Sequence, residues 1–184
     1  MFHRDHQTSF PYRWWREGER HCKRGSNCMR VLIAIEESDC SKRVLESVLD
    51  RCWPNRSLFR IISVFEPSQV LTAYSPGLYT PDACDAIAKA EHEEFLGKQT
   101  YVNDAVELLK HHLVAAEVTG DVLTGIVSEK ILDEAREWSA DLIICGTHSR
   151  RGLAKMFCGS VAEAVANNAE CSVEIVKTKS SEAA

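Results

Sequence analysis

The stretch that decides the fold reads Asp141-Leu142-Ile143-Ile144-Cys145-Gly146, and Gly159-Ser160-Val161-Ala162 follows it after a basic loop. Its first part is an apolar run that ends in glycine, a pattern typical of a strand covered on both faces in a parallel sheet. Its second part opens an apolar helical segment with a Gly-Ser pair. We therefore predict a strand over Leu142–Cys145 and a helix that includes Val161–Ala166.

The same alternation of strand and helix extends through the rest of the chain. The predicted strands are Val31–Ile35, Leu58–Phe65, Ala115–Leu123, Leu142–Cys145 and Val173–Val176. The predicted helices are one capped by Ser38 and Asp39, one from Pro81 to about Leu113 with a weak point at Gly97, one capped by Ser128, and one over Val161–Ala166. Glu66–Thr80 is predicted to be a surface loop. This alternation indicates a single-domain α/β fold with an open, mostly parallel five-stranded sheet flanked by helices.

Two strand ends and one helix start are predicted to meet at the carboxyl edge of this sheet. Ligands of open α/β sheets bind beyond the carboxyl ends of the strands, where the strand order reverses. This rule places Ile35 and Glu36, at the tip of the first strand, beside Gly146. Backbone N–H groups and a partial positive charge at the start of the Gly159-Ser160 helix favour a phosphate group at the same edge.

The loop that follows Gly146 adds positive charge to this edge. It carries Arg150, Arg151 and Lys155. Taken alone, such side chains are more often solvated surface charges, but beside Gly146 and Gly159-Ser160 they favour a polyphosphate. The sequence therefore predicts a phosphate site and leaves the role of the loop cations open.

Catalytic chemistry is not indicated by the pattern at this edge. His148 is interpreted as a surface or ligand-contact residue, because no nucleophile pattern accompanies it. Glu36 and Glu37 are not interpreted as an acid/base pair, because adjacent residues at a strand end point in opposite directions.

The composition narrows the class of protein. The chain has 184 residues, 45% of them hydrophobic, and a net charge of −5, which argues against a general nucleic-acid binder. No apolar run reaches the roughly 20 residues that span a bilayer, and no secretory signal is visible. The eight cysteines form no CxxC pair, so we expect reduced structural thiols. From the charge and from the lack of an apolar span and of a signal, we expect a cytoplasmic protein that contacts neither nucleic acid nor membrane.

Residues 1–28 differ from the ordered pattern that begins at Met29, because they show no apolar period. Three interpretations stand: a spurious extension upstream of the true start at Met29, a disordered basic segment that contacts acidic partners or the acidic domain, or a metal site. The candidate ligands for the metal are His3, His6, His21, Cys22 and Cys28. We expect the domain to occupy 29–179 and a disordered tail to follow over 180–184.

The order of these segments resembles the universal stress protein family from Met29 to Lys177. The resemblance rests on Val31-Leu32-Ile33-Ala34-Ile35-Glu36-Glu37-Ser38 and on Ala140–Ile144 with Gly146. Nucleotide-binding members of that family carry a Gly, two residues, a second Gly, nine residues, and then Gly with Ser or Thr. Gly146 and Gly159-Ser160 match in register, and Ser149 stands where the second Gly is expected.

The resemblance implies a Rossmann-like sheet of the adenine nucleotide alpha hydrolase kind. It implies a homodimer formed through the last strand, Val173 to Val176, and ATP with Mg²⁺ as a regulatory ligand that would be hydrolysed slowly at most. Glu36 would lie near the ribose or the metal-phosphate group, and Val64 against the adenine. The implied nucleotide contacts are Ala34, Ile35, Glu36, Val64, Gly146, Thr147, Ser149, Arg150, Gly159, Ser160 and Val161.

Two other functions are consistent with parts of the sequence. If the loop needs a positive φ at Ser149, the Cβ of serine costs of order 1 kcal/mol, which would weaken the nucleotide site. Alternatively, the protein is a dimeric interaction protein in which this loop is vestigial and binds no nucleotide. An adenylating ligase or ATP pyrophosphatase would need a Gly-rich loop after the first strand. That position reads Glu36-Glu37-Ser38-Asp39-Cys40, which contains no glycine and repels phosphate.

Overall fold

The computed structural model describes residues 28–67, 81–147 and 159–177. Within these ranges strands and helices alternate along the chain. In chain order they are β1 (Arg30–Ala34), α1 (Asp39–Leu49), β2 (Leu58–Phe65), α2 (Pro81–His112), β3 (Glu117–Thr124), α3 (Val127–Glu137), β4 (Leu142–Thr147), α4 (Ser160–Asn168) and β5 (Ser172–Lys177). The predicted α/β class and the predicted number of strands are confirmed.

The strands form a single sheet in the order β3-β2-β1-β4-β5, and every pairing in it is parallel. Ala34 near the end of β1 pairs with Ile62 on one side and with Cys145 on the other. The chain steps outward from β1 through β2 to β3 and then crosses back to place β4 on the other side of β1. The strand order therefore reverses between β1 and β4, as the sequence predicted.

Helices cover both faces of the sheet and create two apolar clusters. One cluster packs α1 and α2 against one face, and the other packs α3 and α4 against the opposite face. The strand β2 contributes to both clusters, because successive side chains of a strand point to opposite faces of the sheet. Phe59 and Ile61 belong to the first cluster, and Ile62 and Val64 belong to the second. Each fully buried side chain of this size stabilises the fold by about 1.5 to 3 kcal/mol.

The start of α1 confirms one predicted cap, and the start of α3 corrects another. The Ser38 hydroxyl accepts a hydrogen bond of 3.3 Å from the Ser41 N–H, so Ser38 is the N-cap of α1. The predicted cap at Ser128 is wrong, because α3 already begins at Val127 and its N-cap is Ile126, without a side-chain cap bond. Gly125, at a φ of +142°, turns the chain straight after β3 and starts the helix ahead of the serine.

The remaining predictions differ from the structure by small amounts or fall outside the described residues. The long helix α2 runs through Gly97 without interruption. The strand β3 begins at Glu117 and not at Ala115, because the Ala116 N–H closes a turn onto the Leu113 carbonyl. The predictions for 1–27, for 68–80 and for 178–184 lie outside the described residues, so the three interpretations of the N-terminal segment stay open.

Within the described ranges, no helix combines the length and the apolar composition that crossing a bilayer requires.

Candidate functional site

The tip of β1 is held by two serines of the following turn. The Ile35 N–H donates to the Ile62 carbonyl at 2.9 Å, which continues the strand pairing past Ala34. The Glu36 N–H donates to the Ser41 hydroxyl at 2.9 Å, and Ser41 is itself tied to Ser38. Glu36 is exposed, so this turn presents a carboxylate at the carboxyl edge of the sheet.

The tip of β4 lies directly beside it, because β1 and β4 are hydrogen-bonded neighbours. Gly146 is half-buried and Thr147 is buried, and both pair with the end of β5. The Thr147 carbonyl accepts a hydrogen bond of 3.3 Å from the Cys40 thiol, which comes from the first turn of α1. Burial raises the pKa of the Cys40 thiol, so it stays protonated at neutral pH and can donate this bond.

The start of α4 provides N–H groups that its own helix does not use. Gly159 is the N-cap, and no side chain caps the helix there. The Gly159 carbonyl accepts from the Glu163 N–H at 3.0 Å, which is the first bond of the helix. The backbone N–H groups of the residues before Glu163 have no partner within the helix and point out of its amino end. A helix carries a partial positive charge at that end. Ser160 is exposed beside them, whereas Glu163 in the first turn offsets part of the positive potential.

These parts share one edge of the sheet. The tips of β1 and β4 are adjacent, and β2 ends next to β1 on the other side. The helix α4 connects the carboxyl end of β4 to the amino end of β5, so its first turn lies at the carboxyl edge. The predicted loop residues do not belong to the described ranges: these are His148, Ser149, Arg150, Arg151 and Lys155.

Some predicted contact residues have little side chain to offer a ligand. Ile35 and Val64 are 5% and 8% exposed, and each packs into an apolar cluster of the core. Ala34 is half-buried against the second cluster. Among the predicted contact residues that the structure describes, Glu36 and Ser160 are therefore the ones with an exposed polar side chain.

The sequence interpretation missed two residues of this region. Ser41 supports the β1 tip, and its position three residues after the capping Ser38 is a spacing that could have revealed it. Cys40 contacts the tip of β4, but the two positions are far apart in the chain, and no local pattern indicates the contact.

A cavity of about 230 Å³ lies at the opposite, amino-terminal edge of the sheet. It is formed where α3 and α4 end, and its lining includes Arg136, Asp141, Glu170 and Cys171. Its volume is below the roughly 300 to 1,000 Å³ usual for small-molecule sites. The carboxyl edge is therefore the stronger candidate, because the reversal of strand order and the start of α4 coincide there. Within the described residues, no three His, Cys, Asp or Glu side chains group as a metal site.

Comparison with known proteins gives a consistent result. The model of the universal stress protein family matches residues 28–177. Universal stress protein A homolog 2 of Coxiella burnetii is 43% identical over 159 residues, covering 84% of this chain and 99% of the relative. Universal stress protein Sll1388 of Synechocystis is 31% identical over 155 residues, covering 80% of this chain and 97% of the relative.

Solved structures share the fold at lower sequence identity. Universal stress protein UspA from Lactobacillus plantarum has a TM-score of 0.64 at 17% identity, covering 82% of this chain and 99% of that one. A universal stress protein family protein from Arabidopsis thaliana, solved with AMP bound, has a TM-score of 0.53 at 17% identity, covering 84% of this chain and 94% of that one.

Proposed function

Because the chain belongs to the universal stress protein family, we propose that it binds an adenine nucleotide, ATP with Mg²⁺, as a regulatory ligand of a stress response. The nucleotide biases the conformation or the choice of partner, with little or no hydrolysis. The protein acts in the cytoplasm, and its domain occupies residues 29–179. The relative from Arabidopsis thaliana that was solved with AMP supports the class of ligand through the shared fold.

One observation carries this proposal. The strand order reverses between β1 and β4, and α4 begins at the same edge with an N-cap glycine and no capping side chain. A phosphate group suits this position, because it can accept hydrogen bonds from the first N–H groups of the helix and meets the positive end of the helix dipole. The exposed Ser160 hydroxyl adds a donor.

The residues present at the carboxyl edge fit a magnesium nucleotide. Glu36 offers a carboxylate oxygen, the kind of ligand that Mg²⁺ prefers. Ile35 and Val64 would contribute backbone groups, since their side chains pack in the core. The proposed contacts are Ala34, Ile35, Glu36, Val64, Gly146, Thr147, Ser149, Arg150, Gly159, Ser160 and Val161, of which Ser149 and Arg150 lie outside the described residues.

A calorimetric titration of the full chain with ATP and Mg²⁺ tests the proposal. We expect saturable binding, and if the loop requires a positive φ at position 149, we expect Ser149→Gly to tighten it by up to about tenfold, because glycine adopts that conformation without the cost of order 1 kcal/mol that serine would meet. The absence of heat at millimolar ATP in both proteins would defeat the ATP part of the proposal. It would favour a dimeric interaction protein with a vestigial loop.

We also propose a homodimer formed through β5. This strand ends the sheet and pairs with β4 alone among the described strands, and Val173–Val176 are only half-buried within the chain. Pairing with the same edge of a second copy would satisfy the outer N–H and carbonyl groups of the strand. Light scattering at micromolar concentration should give the mass of two chains, and the mass of one chain would refute the dimer.

A further inference from the structure

Cys40 packs so closely against Gly146 that a residue with a side chain at position 146 would collide with the Cys40 sulfur. Cys40, in the first turn of α1, is 3% exposed. A Cβ atom placed on Gly146 would lie 2.4 Å from the Cys40 Sγ, a distance that real Cβ contacts do not reach. The next nearest atoms, the Cys40 Cβ and the Val44 Cγ2, would lie at 3.4 Å, which is ordinary contact. The sulfur alone therefore occupies the space that a side chain at position 146 would need.

The backbone of Gly146 gives no second reason for a glycine. Among the described glycines only Gly125 has a positive φ, so Gly146 adopts a conformation open to any residue. It lies in β4 and pairs with Val176 of β5, as a residue with a side chain could also do. The requirement for glycine at this position is one of space.

The same thiol joins α1 to two strand ends. Its Sγ lies 3.3 Å from the Thr147 carbonyl oxygen and 3.7 Å from the Val176 carbonyl oxygen. These carbonyls belong to the last residues of β4 and to β5, beside the point where the candidate phosphate loop leaves the sheet. Cys40 thus contacts the strand tip through its volume and through its single S–H, which donates to the nearer Thr147 carbonyl.

We propose that Gly146, the first glycine of the phosphate-loop pattern, is required by the packing of Cys40 and not by the ligand. Cys40 is a positioning residue: it sets the distance between α1 and the tip of β4, and through that tip it sets where the loop begins. The part of this inference that concerns ligand binding rests on the proposed function. The packing part stands on the geometry alone.

A double-mutant cycle on the full chain tests both parts. The proteins are the wild type, Cys40→Ala, Gly146→Ala and the double variant, and each is measured for its thermal midpoint and for its dissociation constant for ATP with Mg²⁺. We expect Gly146→Ala to lower the midpoint by about 3 to 10 °C, because overpacking at a buried contact is costly. We expect its ATP binding to weaken by about fivefold or more, because the strand tip shifts.

The double variant decides between packing and ligand. With the sulfur removed, a Cβ at position 146 has room, so the midpoint should rise above that of Gly146→Ala, and ATP affinity should return to within about threefold of Cys40→Ala. A double variant no more stable than Gly146→Ala would overturn the packing claim. Restored stability without restored affinity would show that the ligand itself needs the glycine.

The proposal can still be tested if Gly146→Ala fails to fold or if the wild type fails to bind ATP. If Gly146→Ala does not fold, a folded double variant, seen by circular dichroism, is the rescue in its strongest form, and a second unfolded protein overturns the claim. If the wild type does not bind ATP, the proposed function fails, and the thermal midpoints still decide whether Cys40 requires Gly146. Cys40→Ser, which keeps a hydrogen-bond donor to Thr147, should bind ATP more tightly than Cys40→Ala, and equal affinity would refute the contribution of that hydrogen bond.

Discussion

Replacing Ser160 by glutamate is expected to weaken ATP binding by about 10- to 100-fold, because a carboxylate would then stand where the phosphates are proposed to bind. Ser160 is exposed at the first position of α4, so the substitution does not disturb the core. The same charge should stabilise the helix slightly, by about 0.3 to 1 kcal/mol, since acids are favourable near a helix start. Binding and thermal stability should therefore move in opposite directions, which separates a ligand effect from a folding defect.

The matched control is Ala166→Glu, which adds the same charge to an exposed position in the last turn of the same helix. There the carboxylate is far from the proposed phosphate site and near the negative end of the helix dipole. We expect this variant to lose a little stability and to keep its affinity for ATP. Equal binding by Ser160→Glu and Ala166→Glu would mean that the phosphates do not contact the start of α4.

Phe59→Ala is expected to lower the free energy of unfolding by about 3 to 5 kcal/mol, the usual cost of truncating a buried aromatic side chain. Phe59 is 1% exposed in β2 and packs in the cluster between the sheet and the helices α1 and α2. Its ring also meets Trp53 edge-on, with the ring centroids 5.1 Å apart, and that contact would be lost. Urea-induced unfolding followed by circular dichroism measures the change.

Phe95→Ala serves as the comparison. Phe95 makes the same edge-on contact, with Phe65 at 5.9 Å, but it is only half-buried on α2. Its truncation should cost less than about 2 kcal/mol, because less apolar surface returns to water. If the two variants were equally destabilised, burial in the first apolar cluster would not be the main source of stability at Phe59.

The three central strands of the sheet were predictable because each is a short, predominantly apolar run, and segments with helical spacing separate them from the next strands. β1, β2 and β4 are covered on both faces, so most residues in them are apolar, and the sequence alone indicates their type. The reversal of strand order between β1 and β4 then followed from the general rules for such folds. That reversal placed the candidate site at the tips of these two strands.

Contacts between residues far apart in the chain were not predictable. The Cys40 thiol meets β4, and the ion pair of Arg51 and Glu174 ties the end of α1 to β5, yet neither pair has a spacing that a sequence reveals. The start of α3 was misplaced for a local reason. Ser128 has the chemistry of a cap, but the turn at Gly125 starts the helix one residue before it.

Both the position and the chemistry of the candidate site remain predictions. The structure confirms the reversal of strand order that points to this edge, and it adds that Ile35 and Val64 belong to the core, while Glu36 and the start of α4 are accessible. A sequence cannot separate a glycine needed by a ligand from one needed by a neighbouring side chain. Gly146 shows why, since the atom that crowds it belongs to another element.

Backbone amide chemical shifts of the ¹⁵N-labelled full chain, followed during titration with ATP and Mg²⁺, test the proposed nucleotide site most directly. Binding at the carboxyl edge predicts saturable shifts that are largest at Gly146 and Thr147 and over 159–161, with small shifts at Cys171 near the opposite cavity. Shifts centred on the cavity, or no shifts at millimolar ATP, would contradict a nucleotide site at the tips of β1 and β4.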